Sequence, residues 1–234
     1  MQAALDSEYG GQASLGAWTF LCHPVRYQPT RWEETAQLKA VLEKSVIRVR
    51  QEFPPITYNT HVQEWGICNR HYEDAFGLTR SGLFMSTRLF RENTVAFTNP
   101  WQTVLGQPNP DIPPGQWLDL KVNLSMVIEF FMFLWRFAEN FEVGEEMVWE
   151  VVAGPLAGRR LVTMDASIFW LLPTEPCRAN GFRRRKVVPV EGLRASWEEL
   201  CAKTLHGFFE LFSGPRISTE TLLNWVEKFK ERKF

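Results

Sequence analysis

The chain has 234 residues, and its 26 lysines and arginines nearly balance 27 aspartates and glutamates, for a formal net charge of −1. This balance excludes the global positive field of a dedicated nucleic-acid-binding domain, although it leaves room for local basic patches. Aromatic residues make up 14% of the chain, enough for a large core with a surplus that can serve as a contact surface for a partner.

The cysteine pattern indicates the compartment. The four cysteines lack the spacing of a secreted disulfide framework; they are Cys22, Cys68, Cys177 and Cys201. No positively charged N-terminal segment followed by an apolar segment, the pattern of a signal peptide, precedes them. We therefore expect free thiols in a reducing, cytoplasmic setting.

In chain order, residues 1–14 are polar and without period, which predicts a flexible arm ahead of a single domain over 15–234. Residues 17–25 are rich in Trp, Thr and Phe and predict a strand, and Pro24 near its end indicates an edge position or a strand terminus. Thr30 with Glu33 forms a capping pattern that predicts a helix to about Phe53.

The next segment, 56–74, is the least regular, and it predicts a short strand near 56–58 followed by irregular chain. Residues 75–80 and 83–90 flank Ser81-Gly82 and predict a β-hairpin with a two-residue turn, because the glycine accepts positive φ. Residues 99–116 carry five prolines and predict a loop.

Residues 117–141 predict the core helix around which the fold is built. Apolar side chains cover most of its circumference, Phe130, Phe131, Leu134 and Phe137 among them. A narrow polar stripe remains and is expected to face water. Glu129 in this stripe is expected to be a solvent-exposed carboxylate, and any partner for it must come from another element of the fold. The stripe consists of Lys121, Ser125, Glu129, Arg136 and Asn140. Because Glu129 is central, a membrane span is disfavoured.

The C-terminal part predicts more strands and two helices. Residues 147–153 and 160–164 predict a second hairpin, 186–190 and 168–172 predict further strands, and Ser196 and Ser218 are candidate helix caps. Strands grouped around short turns indicate a largely antiparallel sheet. We expect an α+β fold in which this sheet packs on the long central helix, with two C-terminal helices.

Two constellations are candidates for chemistry. Cys22-His23 and Cys68-x-x-His71 together could supply four zinc ligands. Cys22 and His23 are consecutive in a predicted strand, so their side chains point to opposite faces and cannot both reach one metal without a bend. We therefore expect no metal and no cofactor. The segment from His61 to Asp74 holds several titratable side chains and is the candidate site if the protein is an enzyme. Nucleophile-elbow, phosphate-loop, dinucleotide and zinc-protease motifs are missing from the sequence, which favours a protein that is not an enzyme.

The concentrated positive charge lies in the C-terminal part. It forms a candidate site for nucleic acid or for an acidic partner, since guanidinium groups suit phosphates and carboxylates. The alternative interpretation is a solubilising edge strand, whose charges block unwanted pairing. The candidate residues are Arg159, Arg160, Arg178, Arg183, Arg184, Arg185 and Lys186.

Three stretches carry a resemblance to a known family: residues 79–84 at the first hairpin, 124–137 in the central helix, and 158–162. With Gly16-Ala17-Trp18 and the helix from Glu33, they resemble the C-terminal region of Schlafen-type (divergent Alba-like) DNA-binding or ATP-binding proteins of bacteria. The resemblance implies an accessory or sensing domain of a bacterial regulatory or antiviral defence assembly. It transfers no catalytic residue, because the family's nucleotide chemistry is expected in an N-terminal module that this chain lacks.

The leading hypothesis is therefore a non-enzymatic protein-interaction module that acts within a larger complex and not at a membrane. The alternative is a nucleic-acid-contacting subunit that uses the basic patch, and the third hypothesis is an enzyme.

Overall fold

The structure is a computed structural model that describes residues 16–49, 52–56, 60–71, 74–90, 92, 112–163, 175–212 and 217–232. The predicted arm at 1–14, the predicted strand at 168–172, and most of the predicted strand at 56–58 and of the predicted loop at 99–116 lie outside the described residues.

The described strands and helices confirm the predicted α+β class and the antiparallel character of the sheet. The strands are β1 (Ala17–Pro24), β2 (Ile47–Arg48), β3 (Glu52–Phe53), β4 (His61–Gln63), β5 (Gly66–His71), β6 (Asp74–Thr79), β7 (Phe84–Leu89), β8 (Trp117–Asp119), β9 (Glu146–Gly154), β10 (Arg160–Val162) and β11 (Phe182–Pro189). Seven of them form one sheet in the order β11-β9-β1-β7-β6-β5-β4, with every neighbouring pair antiparallel. β8 with β10 and β2 with β3 form small two-stranded sheets.

The helices pack together against the large sheet. They are α1 (Thr35–Ser45), α2 (Leu120–Ala138), α3 (Val190–Phe209) and α4 (Thr219–Lys230). The predicted last helix is confirmed, with Ser218 as its cap: the Ser218 hydroxyl accepts a hydrogen bond from the Thr221 N–H at 3.1 Å. α2 is the central helix, and it packs against α1, α3 and α4.

The predicted core of α2 is confirmed, since Phe130, Phe131, Leu134 and Phe137 are fully buried. The helix begins later than predicted because the chain before it forms β8, and Asp119 caps it by accepting a hydrogen bond from the Val122 N–H at 2.8 Å. Within the described part of the chain, no helix combines the length and the apolar character that a bilayer crossing needs.

The prediction that the polar stripe faces water is wrong for Ser125, which is 6% exposed, and for Glu129, whose side chain is only 2% exposed. Its Oε2 atom lies 3.3 Å from Nη1 of Arg88, a β7 residue that is equally buried. The same guanidinium lies 3.0 Å from Asp74 and packs on the Phe53 ring, with Cζ 5.2 Å from its centroid. A carboxylate in a core is tolerated when a cation neutralises it, and here the cation comes from a different element, as the sequence required.

A second buried polar cluster lies at the start of α2. The Glu92 carboxylate is 3% exposed, and its Oε1 atom accepts hydrogen bonds from the Asp119 N–H at 2.7 Å and from the Asn123 amide at 2.9 Å. The Asn123 oxygen in turn accepts from the Trp18 indole of β1 at 2.7 Å. This cluster therefore ties the helix start to a central strand of the sheet.

The Glu92 cluster predicts a pH dependence of stability. Burial raises the pKa of the Glu92 carboxyl above its usual value of 4.5, although the hydrogen bond from the Asp119 N–H opposes part of the rise. A carboxyl with a raised folded-state pKa binds more protons when folded, so stability falls as the pH rises above the usual value. In chemical denaturation, the free energy of unfolding of Glu92→Gln minus that of wild type should increase from about pH 5 to about pH 8. A difference that stays constant over this range would contradict the assignment.

Two predictions about the N-terminal elements need correction. β1 is not at an edge, because it lies between β7 and β9, but the alternative that Pro24 marks a strand terminus is confirmed, since it is the last residue of β1. Pro24 is compatible with this position because pairing with β7 stops at Cys22, so no ladder bond is needed from the proline on that side. The predicted helix from Thr30 to Phe53 is α1 alone, without a side-chain cap, because the chain after Ser45 forms the pair β2–β3.

Four further predictions differ from the structure. Residues 61–71 are regular chain, not irregular: they form β4, a short turn and the whole of β5. The hairpin β6–β7 is confirmed, but its Thr79 N–H bonds to the Leu83 carbonyl, so the loop has three residues and Gly82 (φ +90) supplies the left-handed position.

Residues 147–164 do not form a hairpin, since β9 pairs with β1 and β11 while β10 pairs in parallel with β8. α3 begins at Val190, and Ser196 marks a kink within it, not its start.

Candidate functional site

The two faces of the seven-stranded sheet have different environments. Antiparallel register assigns each side chain to a face, and the main hydrophobic cluster around α2 contains apolar residues from one face only among those that the structure describes. We call the opposite side the open face. It carries Thr19, Leu21, His61, Cys68, Arg70, Ala75, Gly77, Met85, Thr87, Val148, Glu150, Val152, Arg183 and Arg185. The name means the side away from α2 and not general exposure, since Ala75, Gly77, Thr87, Val148 and Glu150 are buried.

The hairpin β4–β5 places an aromatic side chain on this face. Gln63 pairs with Gly66, which leaves Trp65 in the short turn between the strands. The Trp65 carbonyl accepts a hydrogen bond from the Arg80 N–H at 3.0 Å, so the turn is tied to the neighbouring hairpin. Gly66 permits this close approach, because a Cβ there would lie 2.1 Å from the Leu78 carbonyl oxygen.

Trp65 forms one wall of a groove of about 410 Å³ on the open face. Its ring lies over Gly77, where a Cβ would sit 3.6 Å from the ring, and the side chain remains 50% exposed. We call this the Trp65 groove. Its lining is mostly apolar and consists of His61, Trp65, Cys68, Asn69, Arg70, Ala75, Phe76, Gly77, Thr79, Leu83 and Met85. A volume of this size suits one or two apolar side chains or a small apolar ligand.

The polar groups of the Trp65 groove do not favour covalent chemistry. His61 and Cys68 are direct cross-strand partners, an arrangement that can in principle supply a base and a nucleophile. Burial raises the pKa of the Cys68 thiol above its usual value of 9.0, so the thiol stays protonated at neutral pH. Arg70 is the charged side chain of the described lining, which contains no carboxylate. This arrangement binds apolar groups better than it activates a nucleophile.

The other candidate metal-binding and catalytic residues do not lie together in the structure. Cys22 is buried on the helix-covered face, whereas Cys68 faces the open side, so these two thiols cannot ligate one ion. His61 and Asp74 are likewise on opposite faces, and Asp74 is engaged with Arg88. Within the described residues, no group of three or more His, Cys, Asp or Glu side chains is placed to hold a metal.

The residues of the predicted basic patch do not form one exposed surface. Arg159 does not contribute to its surface, since the side chain is buried: Nε donates to the Pro155 carbonyl at 2.9 Å and Cζ lies 4.8 Å from the Phe90 ring centroid. Such a guanidinium is unavailable to a partner. Its sequence neighbour Arg160 is exposed.

The other predicted cations lie on or near β11, which is an edge strand. Arg178 pairs with Glu175 at 2.9 Å, and Arg183 forms an ion pair with Glu150. Burial lowers the pKa of Arg184, and its Nη1 donates to the Lys203 carbonyl of α3. Arg185 and Lys186 are exposed.

Sequence reasoning did not identify Trp65 as a site residue. A single tryptophan in a segment without clear period carries no local signal, and its exposure follows from how β4 and β5 pair with β6. The one available hint was Gly66 directly after it, since a glycine in a strand indicates close backbone approach.

Comparisons of the chain with protein-family models, curated proteins and solved structures find no match. The resemblance to Schlafen-type proteins therefore stays a prediction. The functional conclusion depends on the geometry of the open face.

Proposed function

We propose that the protein is a non-enzymatic interaction module that binds a protein partner through the open face, with the Trp65 groove accepting an apolar side chain of that partner. The observation that carries the proposal is a half-exposed tryptophan in an apolar groove, on a sheet face that the main hydrophobic cluster does not use. Tryptophan is enriched among the residues that dominate binding energy at protein interfaces.

Exposed apolar side chains cluster at this end of the sheet. Trp65 is 50% exposed and Leu83 37%, and both line the groove. Contiguous apolar surface of this kind marks interaction sites, since it gains free energy when a partner excludes water. By analogy with the resembled family, the proposed role is that of an accessory subunit in a bacterial regulatory or defence complex.

A nucleic-acid-contacting role is the second candidate, and the exposed cations Arg160, Arg185 and Lys186 favour it. It has less support, because Arg159 is buried and Arg178 and Arg183 are already paired with carboxylates. An enzymatic role of the His61 segment has less support still, because the raised pKa of Cys68 disfavours a thiolate nucleophile.

A peptide selection tests the proposal. A phage-displayed library of random twelve-residue peptides is selected against the immobilised protein, and the enriched peptides are synthesised and titrated. We expect a shared aromatic or aliphatic anchor residue, and Trp65→Ala should weaken binding about 30-fold, as expected for a residue that contributes about 2 kcal/mol.

The control is Tyr27→Ala, which removes another exposed aromatic side chain (74% exposed) that does not line the groove. It should bind the selected peptides as wild type does. Selected peptides that share no anchor residue, or that bind Trp65→Ala as tightly as wild type, would contradict the proposal.

A further inference from the structure

The strand β11 forms the edge of the seven-stranded sheet furthest from the Trp65 groove. It spans eight residues, and among the described strands it pairs only with β9. Within the described part of the chain, the outer side of β11 carries backbone donors and acceptors that no strand pairs, and such an edge is a template for one more strand. Peptide recognition by strand addition uses such an edge.

Four consecutive cations occupy the middle of this edge: Arg183, Arg184, Arg185 and Lys186. They are followed by Val187, an apolar side chain that is 53% exposed. In the register with β9, Arg183 and Arg185 lie on the open face, while Arg184 and Lys186 lie on the side of the helices. The positive charge is therefore distributed over both faces of one strand.

This distribution favours a strand over a nucleic acid as the occupant. A phosphate backbone lying on one face of the sheet reaches only the two cations on that face. The side chains of an added strand alternate in step with those of β11, so its residues lie opposite all four cations. Cross-strand pairs of opposite charge stabilise a sheet.

The same charges argue against a second copy of the chain. In a symmetric antiparallel pair of two β11 strands that overlap along their whole length, Arg185 of each copy would lie opposite Lys186 of the other, which is destabilising. A carboxylate already binds this strand from its inner side, where Glu150 of β9 forms an ion pair with Arg183. Acidic side chains on the outer side would repeat that interaction.

We propose that β11 is a docking edge for an acidic, extended segment of a partner protein. The segment adds to the sheet as a further strand, with carboxylates opposite the exposed cations Arg185 and Lys186 and an apolar residue opposite Val187. This surface is independent of the Trp65 groove, because the two lie at opposite edges of the sheet.

The test uses a fluorescent eight-residue peptide in which two valines precede four glutamates, the order that an antiparallel strand requires. Binding to the full chain is measured by fluorescence anisotropy. Arg185→Glu/Lys186→Glu should weaken binding at least about tenfold. The matched control Lys39→Glu/Lys228→Glu makes the same change in net charge on exposed positions of α1 and α4 and should bind as wild type does.

Two N-methylated peptides separate strand addition from simple charge attraction. One carries methyl groups on the odd-numbered backbone amides and the other on the even-numbered amides, so each blocks one edge of the peptide strand. Strand addition predicts that one of them loses binding at least about tenfold while the other retains it. Equal binding by both would overturn the proposal.

Two further results also overturn it. One is that wild type does not bind the acidic peptide. The other is that single- or double-stranded oligonucleotides bind more tightly than the peptide and are released by salt and by the double substitution, which assigns the edge to nucleic acid. Trp65→Ala should bind the acidic peptide as wild type does, so failure of the groove proposal and failure of this one are distinguishable.

Discussion

Replacing Phe131 by alanine is expected to lower the free energy of unfolding by about 3–5 kcal/mol, the range for removing a buried phenylalanine from a packed core. Phe131 is fully buried on α2, and its ring meets the Trp149 ring of β9 edge-on at a centroid distance of 5.0 Å. Truncation removes the contact between the central helix and β9 and leaves a cavity that rigid neighbours cannot fill.

The measurement is reversible urea denaturation followed by circular dichroism and by tryptophan fluorescence, whose transitions should coincide. Val143→Ala serves as the control, because its side chain is 78% exposed and its truncation should change stability by less than about 0.5 kcal/mol. A loss below about 1 kcal/mol for Phe131→Ala would show that α2 is not the centre of the core.

Replacing Arg88 by methionine is expected to cost about 3–5 kcal/mol, because it removes the buried cation that pairs with the Glu129 and Asp74 carboxylates. The side chains of Arg88 and Glu129 are each 2% exposed and lie 3.3 Å apart, so water does not reach the Glu129 charge that remains. Methionine retains much of the volume of the arginine stem, so the measured loss reports on the charge more than on a cavity.

The matched control is Arg48→Met, the same substitution at an arginine that is 67% exposed and 3.0 Å from Glu52. Exposed pairs contribute little, so the expected loss is below about 1 kcal/mol. Arg88→Met/Glu129→Met removes the buried pair as a unit and should recover much of the stability that Arg88→Met loses. An Arg88→Met variant within about 1 kcal/mol of wild type would contradict the role of the ion pair.

Elements with a strong local signal could be predicted from the sequence. The apolar circumference of 117–141 requires cover on nearly all sides, so burial of Phe130 and Phe137 follows from composition and helical period alone. The hairpin β6–β7 follows from Gly82 between two apolar runs, and the start of α4 follows from the Ser218 hydroxyl. In each case the residues that decide the structure are close neighbours in sequence.

Features that depend on distant partners could not be predicted in this way. Glu129 looked like a surface acid because its cation, Arg88, lies 41 residues earlier in the chain. Arg159 looked like part of a surface patch, and it is buried because Phe90 and the Pro155 carbonyl bind its guanidinium. The exposure of a charged side chain is decided by whether the fold brings it a partner, and this information is not local.

The candidate site belongs mainly to the second group. The sequence by itself determined that a cationic stretch lies on an extended chain with its side chains on alternating faces, because strand period is a local property. The tertiary structure alone decided that β11 is an edge, that Trp65 lies over Gly77, and that one face of the sheet is left out of the main hydrophobic cluster. The physical reason is that strand order and face coverage minimise the exposure of all apolar surfaces together, so they depend on contacts between segments far apart in sequence.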